Sequence, residues 1–357
     1  MSEDFVSSSL VLPGTYIRVR AEGLIGGGGI STGNIGVVGT ASSGVDETHN
    51  LSAPSEAEEA FGESDGLGDL SVNLTRICKE LFRGGARNIY ARAVAESATD
   101  GDYTNAFNEL IKDDVQILVA PELTTERALN ILQPVLSSAE SNGQDLMAVV
   151  GADGTDASAI IDQAIDNHRV ILAAPGYYIA NPEDPESPVK LPGNWISAPV
   201  AGLISTLSPH ASPTNKTLPS VSRLSERFSY GQRTNLVNNR IFTLEDRMGI
   251  RVVRGLTTHT GGFSQITTRR IVDFAKAGIR KVSNPFIGRL NNTRVRAALQ
   301  GAIDGFLTSM LVDEQLTNYS LEVTATRRDE IEGRAIVNVL LQPTFSIDFV
   351  AVTLVLE

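Results

Sequence analysis

The sequence predicts a chain in two parts: an α/β domain on a mainly parallel sheet, then a C-terminal α+β domain. Three observations carry this. From Asn34 to about Ala180, short apolar runs alternate with segments of helical period. Beyond Ile196, two long amphipathic helices precede strand-like segments. Charge divides along the same line: residues 1–200 hold 11 Lys+Arg against 29 Asp+Glu, while residues 201–300 hold 16 against 4. The formal net charge of −12 over 357 residues hides that asymmetry, which points to two surfaces with different partners.

The elements follow in chain order. Residues 1–14 are polar and Ser-rich and read as an extended arm. Tyr16-Ile17-Arg18-Val19-Arg20 alternates, with Ile17 and Val19 on one face, and is a short strand. Gly26-Gly27-Gly28-Gly29 is a hinge, because four glycines leave the backbone unrestrained. Ile35–Gly39 is a buried-type strand. Ser52-Ala53-Pro54-Ser55 opens a helix, with Ser52 or Ser55 as N-cap and Glu56, Glu58 and Glu59 near its positive end. Leu70, Leu74, Ile77, Leu81 and Phe82 mark a second helix ended by Gly84-Gly85. Strands are expected at 89–94, 115–120, 146–150 and 170–174, with helices at 105–112, 124–140 and 156–166 between them.

Residues 181–195 form a Pro-rich surface turn, followed by a buried helix over 196–207 and a loop over 209–219. Ile271, Phe274, Ala275, Gly278, Ile279 and Val282 form one apolar stripe; Val295, Leu299, Ile303, Phe306, Leu307 and Met310 form another. Strands are expected at 320–326, 334–341 and 345–356. In the last, Val350, Val352, Leu354 and Leu356 lie opposite Ala351 and Val355, so the strand is apolar on both faces and needs cover on both. It is either sandwiched within its own domain or inserted into a sheet completed by another copy.

Chemistry-bearing motifs are weak. Gly33–Gly39 reads GxxGxxG and lies within a strand, there is no GxxxxGK[ST], and Gly39–Gly44 is not GxSxG. His49, His168, His210 and His259 are scattered; with the single Cys78 they suggest no zinc site and no disulfide. Gly151–Asp156 follows a strand and precedes a helix, where α/β folds bind ligands. Asp153 and Asp156 are therefore the candidates for an α/β enzyme using the 146–156 strand-loop, although turn and helix capping use the same residues. Arg223, Arg227, Arg233, Arg240, Arg247, Arg251 and Arg254 raise a basic nucleic-acid module in 201–300, with thin aromatic interleaving. The other readings are a salt-bridged face or an inter-subunit surface. No apolar run approaches a membrane span, and the acidic start lacks a signal peptide's basic region. The expectation is a protein that stays in the cytoplasm.

Seven segments, in order, resemble the contractile tail sheath family of phage tails, R-type pyocins and extracellular contractile injection systems. Leu12–Ile17 resembles its PGVYV opening, and Ile35–Ala41 its first core strand. Ser52–Gly62 and Leu81–Arg92 are similar to its s-x-x-E-F-x-x-x-F-G and FF-x-N-G-G-x-x-x-Y-V-V-R segments. Ser197–Ile204 with Ser212–Lys216, Thr267–Phe274, and Gly333-Arg334 with Gln342-Pro343 and Ile347–Val350 complete the set. The family's tryptophan-rich tract is missing: Thr257–Gln265 is short and polar, and Trp195 is the one tryptophan. FEPN stands as Ser283–Phe286.

The resemblance implies an arm, strand and hinge over 1–33, an outward Rossmann-type, subtilisin-like α/β domain over 34–195 without protease activity, and a tube-facing α+β domain over 196–343. Residues 344–357 are then a strand donated to a neighbour. Strand exchange would use Tyr16, Ile17, Val19, Phe349, Val350, Val352, Leu354 and Leu356, with Gly26, Gly27, Gly28 and Gly29 as hinge. Arg269, Arg270, Arg289, Arg294 and Arg296 are candidates for contact with the tube or a neighbour. Implied partners are other copies of itself, an inner tail tube protein, and baseplate and terminator or cap proteins. No cofactor, metal, nucleic acid or membrane insertion is implied. The location is a virion tail or contractile particle assembled in the bacterial cytoplasm.

Overall fold

The computed structural model describes residues 30–67, 70–181, 184 and 186–355. The expected strand at Tyr16, Ile17 and Val19, the hinge Gly26–Gly29, and Leu356 lie outside the described residues.

The chain divides into two units. Among the described residues, the α/β unit holds residues 31–269 and 346–355; the C-terminal unit holds Ile30 and Arg270–Phe345. The expected boundary at 195/196 is therefore corrected, because residues 196–269 complete the α/β sheet and its layers.

Its strands are β1 (Ile35–Thr40), β2 (Thr48–Leu51), β3 (Ile89–Val94), β4 (Ile117–Val119), β5 (Met147–Gly151), β6 (Val170–Ala174), a small sheet of β7 (Tyr177–Ile179), β8 (Val189–Lys190) and β9 (Arg223–Leu224), then β10 (Phe242–Asp246) and β11 (Ile250–Val252). The main sheet has the order β11-β10-β6-β5-β4-β1-β3-β2. Only its outermost pairings, β2 with β3 and β10 with β11, are antiparallel. Fully buried strands such as β1, β5 and β6 lack polar alternation because helices cover both faces. One face carries α1 (Pro54–Phe61), α2 (Leu74–Gly84) and α6 (Ser197–Thr206), around Phe61, Ile77, Leu81 and Trp195. The other carries α3 (Asp100–Leu110), α4 (Thr125–Ser141), α5 (Ala157–Ile161) and α7 (Tyr230–Asn238), around Phe107, Leu110, Leu132 and Leu236.

One local expectation changes, at the start of α1. Neither Ser52 nor Ser55 is the N-cap residue of α1; Ala53 is, and the Glu56 carboxylate accepts from the Ser52 and Ala53 N–H groups at 2.6 and 3.3 Å. The glycines of two family-like segments meet: a Cβ on Gly202 would lie 2.7 Å from Gly84 Cα, so α2 and α6 cross backbone to backbone.

The C-terminal unit takes most of α8 (Ile266–Ser283), then α9 (Thr293–Val312), β12 (Leu316–Thr324), α10 (Arg327–Ile331) and β13 (Ile336–Pro343). Both expected stripes are realised: Ile271, Phe274, Ala275 and Ile279 share a core with Leu299, Ile303, Phe306, Leu307 and Met310. No helix among the described residues is long and apolar enough to cross a membrane.

Candidate assembly site

Within the C-terminal unit, β12 and β13 form a two-stranded antiparallel hairpin, with Leu321 opposite Val339 and Val323 opposite Val337. Neither outer edge pairs with another strand among the described residues. Two strands alone are marginal, and a bare edge invites another chain. Tyr319, Leu321, Val323, Val337 and Val339 pack toward the unit's core, as does Ile30, but all stay half-buried. Leu340 is 56% exposed.

The expected terminal strand does not form as a strand in this chain: residues 344–355 carry no ladder. Phe349, Val350, Val352, Leu354 and Val355 are 73–86% exposed. The sandwiched reading needed internal cover on both faces, and the described tail has it on neither. Its root is held within the α/β unit. The Asp348 carboxylate accepts from Arg254 Nε at 2.9 Å and from Thr214 Oγ1 at 3.3 Å, and the Phe349 ring centroid lies 5.2 Å from the Arg254 guanidinium.

The basic stretch is largely engaged by the unit's own acids. Arg233 pairs with Glu245, and Arg247 reaches it at 3.3 Å. Arg227 lies 3.7 Å from Asp246. Arg251 donates to the Asn215 and Arg247 carbonyls at 2.9 and 3.1 Å, and Arg223 stacks on Tyr178. Four of the seven arginines, Arg227, Arg233, Arg247 and Arg254, thus lie against carboxylates of their own unit, as the salt-bridged reading expects.

Of the five contact candidates, Arg269 and Arg270 are corrected: they are 2% and 7% exposed and present no surface. Burial pulls the Arg270 guanidinium down to about 10 against the opposing field of Asp273. Arg296 is held by Glu330 at 3.0 Å and Asn291 Oδ1 at 2.9 Å. Arg289, stacked on Phe286, and Arg294 are exposed.

The enzyme candidates are occupied structurally. Asp156 caps α5, accepting from the Ser158 and Ala159 N–H groups at 2.8 and 2.9 Å. Asp153 accepts from the Thr125 N–H at 3.1 Å and from Gln163, tying its loop to α4. The strand order reverses between β1 and β4, the crevice where such sheets bind ligands. There Glu122, which no motif singles out, accepts from the Thr40 N–H at 3.0 Å, Thr40 Oγ1 at 2.8 Å, Asn73 Nδ2 at 3.2 Å and the Tyr103 hydroxyl. Burial, and next the Glu122 charge, push the Tyr103 phenol well above its ordinary value. His259 Nδ1 bonds Asp166 at 2.7 Å, with the His168 ring 5.8 Å away. Among the described residues no group of three or more His, Cys, Asp or Glu is placed to hold a metal.

Among the described residues, the β12-β13 hairpin has no further strand and the apolar tail lies exposed. The family model of the phage tail sheath protein central domain matches residues 96–258, and that of the phage tail sheath C-terminal domain matches residues 258–357. The chain belongs to the phage tail sheath family. The tail sheath protein of Mycobacterium phage Bxz1 is 25% identical over 166 residues, 44% of this chain; the match spans 29% of that relative's length. The contracted helical sheath of the anti-feeding prophage superposes with a TM-score of 0.75 at 18% identity, covering 97% of this chain and 99% of that one. The contracted PVC sheath, an extracellular contractile injection system, gives 0.72 at 16% identity, covering 97% and 98%.

Proposed function

We propose that this chain is the repeating subunit of a contractile sheath, polymerising helically around an inner tube. The observation that carries the reading is an open-edged hairpin together with a tail whose apolar side chains are, among the described residues, exposed from Phe349 to Val355. Residues 350–357 span about 26 Å at ~3.3 Å per residue, enough to add a strand along β12 or β13 of a neighbouring copy. Burying each large apolar tail side chain there contributes roughly 1.5–3 kcal/mol. Tyr16, Ile17 and Val19 supply a second exchanged strand, swung on Gly26–Gly29. Joined this way, subunits move largely as rigid bodies from a metastable extended lattice to a compact, wider one, driving the tube through a target envelope.

Exposed Arg289 and Arg294 face an acidic tube or neighbour surface. Baseplate and terminator proteins bound the polymer in a virion tail or contractile particle, assembled in the bacterial cytoplasm. Negative-stain microscopy of concentrated full-length protein tests the assembly: striated hollow tubes are expected, and monodisperse small particles at every concentration would overturn it.

A further inference from the structure

We propose that Asp348 is the root clamp of the C-terminal tail, fixing where the donated segment leaves its own subunit and so how much chain can reach a neighbour. This rests on the tail-donation reading above and adds a residue role to it.

The tail is bare from Phe349 onward, yet one residue earlier the chain is held by a buried charge. The Asp348 side chain is 7% exposed. It bonds Arg254 Nε at 2.9 Å, Thr214 Oγ1 at 3.3 Å and Ser346 Oγ at 3.3 Å, with Gln265 Nε2 at 3.5 Å. Thr214 Oγ1 in turn accepts from the Gly255 N–H at 3.0 Å, so one knot ties loop 212–215, loop 254–255 and the tail root. A charge-assisted bond surrounded by hydrogen-bond donors is a strong, directional point of attachment.

The preceding fixed point is Thr344, whose N–H and hydroxyl donate to the Gln315 and Glu314 carbonyls at 3.1 and 2.7 Å. Releasing Asp348 therefore adds residues 345–348 to the free segment, about 13 Å of extended chain at ~3.3 Å per residue. A tether of that extra length lowers the effective concentration of the tail at its acceptor, by roughly twofold from the −3/2 power of length. Loss of a fixed exit direction adds to this.

The test uses the full-length protein and three variants: Asp348→Asn, an insertion of Gly-Ser-Gly-Ser between Phe349 and Val350, and a truncation lacking 350–357. Critical concentration is read by pelleting; chymotryptic cleavage at Phe345 is read below that concentration. Asp348→Asn is expected to be cut several-fold faster and to raise the critical concentration by about two- to tenfold. The insertion keeps the clamp, so it should be cut at the wild-type rate while raising the critical concentration about twofold. It sits in exposed tail, which separates tether length from any folding defect of Asp348→Asn. If the truncated protein polymerises like wild type, tail donation itself fails, and the clamp's role with it. If truncation abolishes polymer while Asp348→Asn and the insertion both assemble at the wild-type concentration, the clamp alone is overturned.

Discussion

The Phe306 ring of α9 rests directly on Gly278 of α8, so that a Cβ at position 278 would fall within the ring. Alanine in a helix interior is worth about 1 kcal/mol more than glycine, whereas overpacking a core costs roughly 1–3 kcal/mol. Gly278→Ala is therefore expected to destabilise the chain in urea unfolding. In a Phe306→Leu background the same substitution should become neutral or stabilising. Equal losses in both backgrounds would show that the ring contact is not the reason for the glycine.

At the sheet's switch point, Glu122 holds Thr40, Asn73 and Tyr103 together. Glu122→Gln keeps the shape but loses the charge that accepts from several donors, so a loss of about 2–3 kcal/mol is expected. Tyr103→Phe should cost about 1 kcal/mol. Asp156→Ala removes a helix cap and should also cost about 1 kcal/mol. Thermal melts check all three; unchanged stability in Glu122→Gln would mean the knot is not holding the crevice closed.

Carboxylates at three helix starts contribute to the acid dependence of stability. Glu56 is lowered by hydrogen bonds from Ser52, Asp102 by Thr99 and Asp329 by Thr326. Such groups bind fewer protons folded than unfolded. Their stabilisation is therefore full above the ordinary carboxylate range and is lost as pH falls from about 4 through their lower folded values. The melting temperature should hold from pH 7 to 5 and drop below pH 4; a rise on acidification would contradict the sign.

Exposed and buried arginines should separate cleanly. Arg289→Glu with Arg294→Glu is expected to leave folding unchanged and to weaken co-assembly with the inner tube, read by co-sedimentation. Arg270→Glu, at a 7% exposed site, should instead abolish the folded state, read by circular dichroism.

Much of this was legible in the residues because burial writes itself as apolarity. β1, β5 and β6 are buried along their whole length and read as apolar runs, and the α8 and α9 stripes read at helical period. β2 did not: in Thr48-His49-Asn50-Leu51 only Leu51 is buried, so an edge strand looks like loop. β10 and β11 were hidden because Glu245, Arg247 and Arg251 answer one another across a hairpin, a pairing that spacing alone does not reveal. Arg269 and Arg270 misled for the converse reason, since α8 takes charged residues inside with it. The tail was legible as a two-faced apolar segment; its anchor was not, because Asp348 and Arg254 lie 94 residues apart.

On the proposed reading, one copy's tail completes another copy's hairpin. Chain tracing by cryo-electron microscopy of tubes grown from the full-length protein tests it most directly. The expected result is residues 350–355 hydrogen-bonded along the outer edge of β12 or β13 in a different subunit. Tubes in which the hairpin stays two-stranded, or in which each tail pairs with its own subunit, would contradict it.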